Sequence, residues 1–233
     1  MNEVWHSRGY VPHWEAGEVP QSITFRLADS LPSELLQRWR EELEHLQNDE
    51  AALKRRVRIE QELHCGHGAL ALRNSTIAEL VEDALLHFDS DRYKLHAWSI
   101  MPSHVHALAT PMREQTLSAI AHSWKSFTAK QANAVLSRDG AFWAPEYFDR
   151  AIRDGAHYEN ALRYIDMNPV KAGLCGDPED WRFFECLERQ KERAGRPRSQ
   201  ARVIIAAPPA QRRSSFIGKP PRGRSVMLAC GMT

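Results

Sequence analysis

The sequence predicts an α+β protein in which helices cover an antiparallel sheet. Two observations carry this expectation. Residues 93–111 hold two extended runs, Lys94–Ile100 and His104–Thr110, joined only by Met101-Pro102-Ser103, a link too short for a parallel crossover. Stretches with apolar residues three and four positions apart flank these runs on both sides, as helices packed on a sheet require.

Taken in order, Ser22–Leu27 (SITFRL) has the alternation and β-branching of a first strand. From Leu31 to about Leu63 the spacing predicts one long helix, capped by Ser30 or Ser33, with Leu35, Leu36, Trp39, Leu43, Leu46, Leu53, Val57 and Leu63 on its apolar stripe. Its heavy charge implies that part of it projects from the body. Asn74–Phe88 is a second amphipathic helix, opened by Asn74 or Ser75 and carrying Ile77, Leu80, Val81, Ala84, Leu85 and Phe88. Beyond the strand pair, Leu117–Val135 is a third helix and Tyr147–Ile152 a short extended piece. His157–Met167 is the last helix, its end marked by Pro169. This order fits a ferredoxin-like, RNA-recognition-like sheet with His104–Thr110 at its centre.

The 233 residues, 42% hydrophobic and 26% charged, fit one soluble domain with a tail. Residues 1–190 are expected to form that domain. The net charge of +1 is unevenly placed: from residue 191 onward ten Lys and Arg face Glu192 alone, a surplus of +9 that leaves −8 on the body. The Pro-, Arg-, Ser- and Gly-rich tail, residues 191–233, reads as disordered and suited to a polyanion. No apolar run of about 20 residues and no signal-peptide pattern occurs, so a cytoplasmic protein without membrane contact is expected. Cys65, Cys175, Cys186 and Cys230 lack paired spacing, and no disulfides are expected. His64-Cys65-Gly66-His67-Gly68 has zinc-ligand residue types but no second paired half, and its glycines read as a turn.

Chemistry concentrates in two places. On an extended strand His104 and His106 emerge on one side while Val105 turns into the core, and paired neutral imidazoles are a divalent-metal site short of one or two ligands. Tyr164 and Asn168, four apart on the last helix, share a face. A phenol becomes a nucleophile when a base or metal offsets its ionisation, and an amide oxygen suits a hard cation. Singly, each has a plainer explanation: hydrogen-bonded core histidines, a packed tyrosine, a helix-ending Asn-Pro pair. Tyr158 is a rival nucleophile but falls on another helix face. Lys125, Lys130, Arg150, Arg153, Arg163 and Lys171 interleave with Trp124, Phe127, Phe142, Trp143, Tyr147 and Phe148. Such a mixture serves a groove for single-stranded nucleic acid, or else core aromatics beneath solvated charges.

The segments MPSHVH, SWKSFTAKQAN, FWAPEYFDRAIRD and YIDMNPVKAGL occur in the order seen in single-tyrosine HUH transposases. With SRGYVPHWEAGEVPQSITFRLADSLP they most resemble the REP-associated tyrosine transposases, over about Ser7 to Trp181. The resemblance implies the HUH endonuclease fold, with Mg²⁺ or Mn²⁺ on His104 and His106, Asn168 as third ligand and Tyr164 as nucleophile. It further implies metal-dependent cleavage and transfer of single-stranded DNA through a 5′-phosphotyrosine, on hairpins formed by REP-like palindromes. A monomer or homodimer would do this. Ser103 stands where the family has Asn, and Phe183-Phe184-Glu185-Cys186 where it has aromatics with serines. A histidine-triad enzyme would need a third histidine at Leu108. The remaining alternative is a domesticated, non-catalytic hairpin-binding regulator.

Overall fold

The computed structural model describes residues 4–7, 12–15 and 18–186; the basic tail lies outside the described residues. Strands β1 (Val4–Ser7) and β2 (Pro12–Glu15) pair antiparallel ahead of the expected first strand, which is β3 (Gln21–Leu27). The main sheet adds β4 (Tyr93–Ile100), β5 (His104–Pro111), β6 (Trp143–Ala151) and β7 (Phe184–Cys186) in the order β6-β3-β5-β4-β7, every pair antiparallel. The fold is therefore α+β with an antiparallel sheet, and β5 is central as the sequence predicts. Among the described residues no helix is long and apolar enough to cross a membrane.

Strand alternation gives the sheet two unlike faces. One turns Ile23, Phe25, Leu27, Leu95, Trp98, Ile100, Val105 and Ala107 onto α3 (Ser75–Leu86) and α4 (Leu117–Val135). Polar handles on this buried layer are matched: Trp124 Nε1 donates to the Tyr93 hydroxyl at 2.8 Å, which donates to the Leu85 carbonyl at 2.8 Å. Asn74 caps α3 by accepting from the Thr76 amide. The other face carries His104, His106 and Leu108 beneath α5 (Gly155–Lys171).

Four expectations are corrected. The long helix is two, α1 (Ser33–Leu43) and α2 (Asn48–Leu63), parted at Gln47, whose ψ of 148° is extended. A single 33-residue rod would be about 50 Å long; the break instead folds Trp39 back onto Ile59 and Leu63, against Phe148 of β6. Neither expected serine caps it, because Ser30 Oγ donates to the Leu27 carbonyl and Pro32 precedes the first turn. Of the aromatics proposed for a stacking groove, Trp124, Phe142, Trp143, Tyr147 and Phe148 are buried and only Phe127 is exposed. Pro169 does not end the last helix: it lies inside α5, which closes two residues later, before Gly173 at φ +66°. Within the sheet, β4 contains a bulge at His96, between the pairs Leu95↔Ala109 and Ala97↔Leu108, which re-aims the alternation.

The turn after α2 is tightly constrained. Gly66 and Gly68 both have positive φ, and a Cβ on Gly68 would lie 2.3 Å from the Asp29 carbonyl oxygen, whereas one on Gly66 would meet nothing nearer than Leu70 Cδ1 at 3.9 Å. Gly68→Ala should therefore cost about 2 kcal/mol or more and Gly66→Ala about 1 kcal/mol, read as shifts in the urea midpoint. Equal costs for the two would contradict this packing.

Candidate active site

His104 and His106 are both 1% exposed, with ring centroids 4.7 Å apart and nearly perpendicular. Each ring is held by its Nδ1. The Ser103 hydroxyl lies between the Leu63 carbonyl (3.3 Å) and His104 Nδ1 (3.0 Å); when it donates to the carbonyl it accepts from Nδ1. In that arrangement the proton of His104 sits on Nδ1. Thr24, directly across the β3–β5 pair from His106, holds His106 Nδ1 at 2.8 Å. Both Nε2 atoms are buried and have no hydrogen-bond partner among the described residues. Burial, then His106 and His64, holds the His104 pKa well below the usual value; burial, then His64 and Arg56, lowers that of His106 to about 3. Two neutral imidazoles held through Nδ1 turn both Nε2 atoms toward the same buried side; with the protons on Nδ1 these atoms would offer the lone pairs a divalent cation needs.

α5 brings the sequence-predicted partners to the same place. The Tyr164 ring meets His106 edge-on at 5.3 Å between centroids. Asn168, fully buried, uses Nδ2 to donate to the Tyr164 carbonyl at 2.8 Å and turns Oδ1 toward His64 Nε2 at 3.1 Å. Burial and the charge of Glu60 push the Tyr164 hydroxyl up to about 12, against the opposing effects of Asn168 and Arg56. Lys171 Nζ stands 5.2 Å from the ring centroid. Tyr158, the rival phenol, is engaged elsewhere: its hydroxyl pairs with Nδ1 of the bulged His96 at 2.9 Å, and His96 Nε2 pairs with Thr110.

A third wall was not foreseen. Arg56 and Glu60 on α2 and His64 at its C-cap, still in helical conformation, are four apart and so share one face. His64 reaches Asn168 and stands 6.1 Å from the His104 ring; Arg56 pairs with Glu60 at 3.0 Å, and both charges reach Tyr164. The i, i+4, i+8 spacing of titratable residues was the available signal. An unbroken helix projecting from the body would carry these three residues away from the sheet, and only the break before Asn48 brings them back to it.

The basic candidates divide between the two sides of the sheet. Arg150, Arg153, Arg163 and Lys171 are exposed on β6, the following loop and α5. Lys130 is exposed on α4, across the sheet from the histidines. Lys125, also on α4, donates to the Pro145 carbonyl at 2.8 Å, and burial with Arg26 nearby lowers its pKa to about 8.

Residues 73–168 match the family described as IS200-like transposases, a span that takes in His104, His106 and Tyr164 and ends on Asn168. The chain is 27% identical over 111 residues to the REP-associated tyrosine transposase of Escherichia coli K12, a match covering 47% of this chain and 64% of that protein, under two thirds of its length. These two matches bear out the resemblance read from the motifs. Two solved structures are also similar. One is a REP-associated tyrosine transposase bound to a REP hairpin (19% identity, TM-score 0.49, 79% of this chain, 86% of that one). The other is a putative transposase from Deinococcus radiodurans R1 (13% identity, TM-score 0.32, 69% and 94%).

The buried rings make acid stability testable. Unfolded histidine takes a proton below about pH 6.5, while folded His106 resists until about 3, so stability is intact above 6.5 and is lost as pH falls toward 3. In chelator at about pH 5, His106 alone should cost about 2 kcal/mol relative to neutral pH. His106→Gln should flatten the pH dependence of the urea midpoint; an unchanged slope would count against a neutral buried ring.

Proposed function

We propose that this chain, which carries an IS200-like transposase segment, cleaves and rejoins single-stranded DNA at hairpins of REP-like palindromes. In this reading His104 Nε2, His106 Nε2 and Asn168 Oδ1 hold one Mg²⁺ or Mn²⁺. The observation that carries it is the pair of unpartnered, buried Nε2 atoms beside a phenol-bearing ring. Such a cation polarises the scissile phosphate and offsets the charge that develops on it.

The protein residues then have distinct tasks. Tyr164 supplies the nucleophilic oxygen, forming a 5′-phosphotyrosine and releasing a 3′-hydroxyl, which can attack in reverse to rejoin strands. Its proton must leave against a pKa raised to about 12, and the positive charges of Arg56 and Lys171 favour the phenolate. Asn168 ties the phenol's own helix to the cation position. Arg150, Arg153, Arg163 and Lys171 lie on the side of the sheet where a DNA backbone would pass, and Lys125 and Lys130 do not. Residues 1–190 form the catalytic domain in this reading, and the basic tail adds sequence-independent phosphate affinity.

Labelled single-stranded hairpin incubated with Mn²⁺ should give a covalent protein–DNA adduct. Tyr164→Phe and His106→Ala should each abolish it, and duplex of the same sequence should be a poorer substrate. Cleavage unchanged in either variant would reject the mechanism, while hairpin binding with no cleavage by the wild type would favour the regulator.

A second expectation concerns the strand that backs His106. Thr24→Val removes the hydroxyl on His106 Nδ1 and should weaken Mn²⁺ binding about tenfold or more, followed by electron paramagnetic resonance titration. Unaltered affinity would show that the hydroxyl does not orient the ring.

A further inference from the structure

We infer that Glu62, Cys65 and His67 form a second cation site, suited to Zn²⁺ and separate from the His104–His106 pair. One ligand atom from each of the three lies within 4.8 Å of the others. His67 Nε2 and Glu62 Oε2 are hydrogen-bonded at 3.1 Å, a separation close to the roughly 3.3 Å between N and O ligands around a tetrahedral zinc with bonds of about 2.0–2.1 Å, so that a cation replacing the shared proton would need little movement of either. Cys65 is exposed, so its thiol can close the remaining distance by a side-chain rotation.

The arrangement is built by the backbone. Glu62 lies in the last turn of α2, and the Cys65 amide donates to the Glu62 carbonyl at 2.9 Å, carrying the chain out of the helix. The left-handed Gly66 and Gly68 then fold His67 back, while Asp29 pins the turn by accepting from the Ala69 amide at 2.9 Å. A side chain at position 68 would collide with Asp29, so the turn is held in the conformation that gathers the three ligands. His64, between Glu62 and Cys65 in sequence, points away to Asn168 and remains with the first site. Thiolate, imidazole and carboxylate together favour a borderline-soft ion over Mg²⁺, with water completing four-coordination. This site does not rest on the proposed nuclease activity.

Co²⁺ added to the full-length chain after chelation tests the inference, because a thiolate on cobalt gives a near-ultraviolet charge-transfer band. The band should appear in the wild type, vanish on one equivalent of Zn²⁺, and persist in His106→Ala. Cys65→Ser should eliminate it, and Glu62→Gln should weaken Co²⁺ binding at least tenfold. No band in the wild type, or a band that survives Cys65→Ser, overturns the inference. Loss of the band in His106→Ala would also overturn it, by merging the two sites. Each result stands whether or not hairpin DNA is cleaved.

Discussion

Everything at the centre of this protein depends on two imidazole rings each held through one nitrogen. The Ser103 hydroxyl bridges the Leu63 carbonyl at the end of α2 and His104 Nδ1, and Thr24 holds Nδ1 of His106 from the neighbouring strand. The other nitrogen of each ring is left buried and unpaired. A buried acceptor without a partner costs on the order of 1–3 kcal/mol. That cost is tolerated at a point where a cation would remove it, and it is the kind of local conflict with stability that marks a site for chemistry.

The rest of the architecture keeps that conflict in place. One face of the sheet is an apolar layer under α3 and α4, closed by stacked and edge-on aromatics such as Phe25, Trp124 and Trp143. It makes β5 rigid, so that the opposite face can hold polar groups without rearranging to satisfy them. Over that face, α5 delivers Tyr164 and Asn168, and α2 closes the side. The Tyr158–His96–Thr110 chain fastens the first half of α5 to the strand beside β5, away from the chemistry.

Much of this could be read from the sequence because it follows from period. Strand alternation places His104 and His106 together and Val105 opposite; helical period places Tyr164 over Asn168. Both relations are local and survive any tertiary context. What could not be read was non-local. The break at residues 44–47 carries no glycine or proline, and only the packing of Trp39 on Ile59 and Leu63 reveals it. With the break hidden, the approach of Arg56, Glu60 and His64 to the histidine face was hidden as well. Aromatic residues near basic ones were ambiguous in one dimension, and burial resolved them into core. Ser103, a departure from the family pattern, turned out to carry the hydrogen bond that fixes the neighbouring imidazole.

The wall contributed by α2 has a consequence for how such proteins are divided into modules. The family match begins at residue 73, so it contains both imidazoles of the strand, the phenol and the amide, yet excludes Arg56, Glu60 and His64. A boundary drawn by similarity therefore passes through this cluster of side chains rather than around it. A graft of the matched segment onto another scaffold would transplant the strand imidazoles, the phenol and the amide while leaving behind the imidazole that braces Asn168 and the charges that shift the phenol.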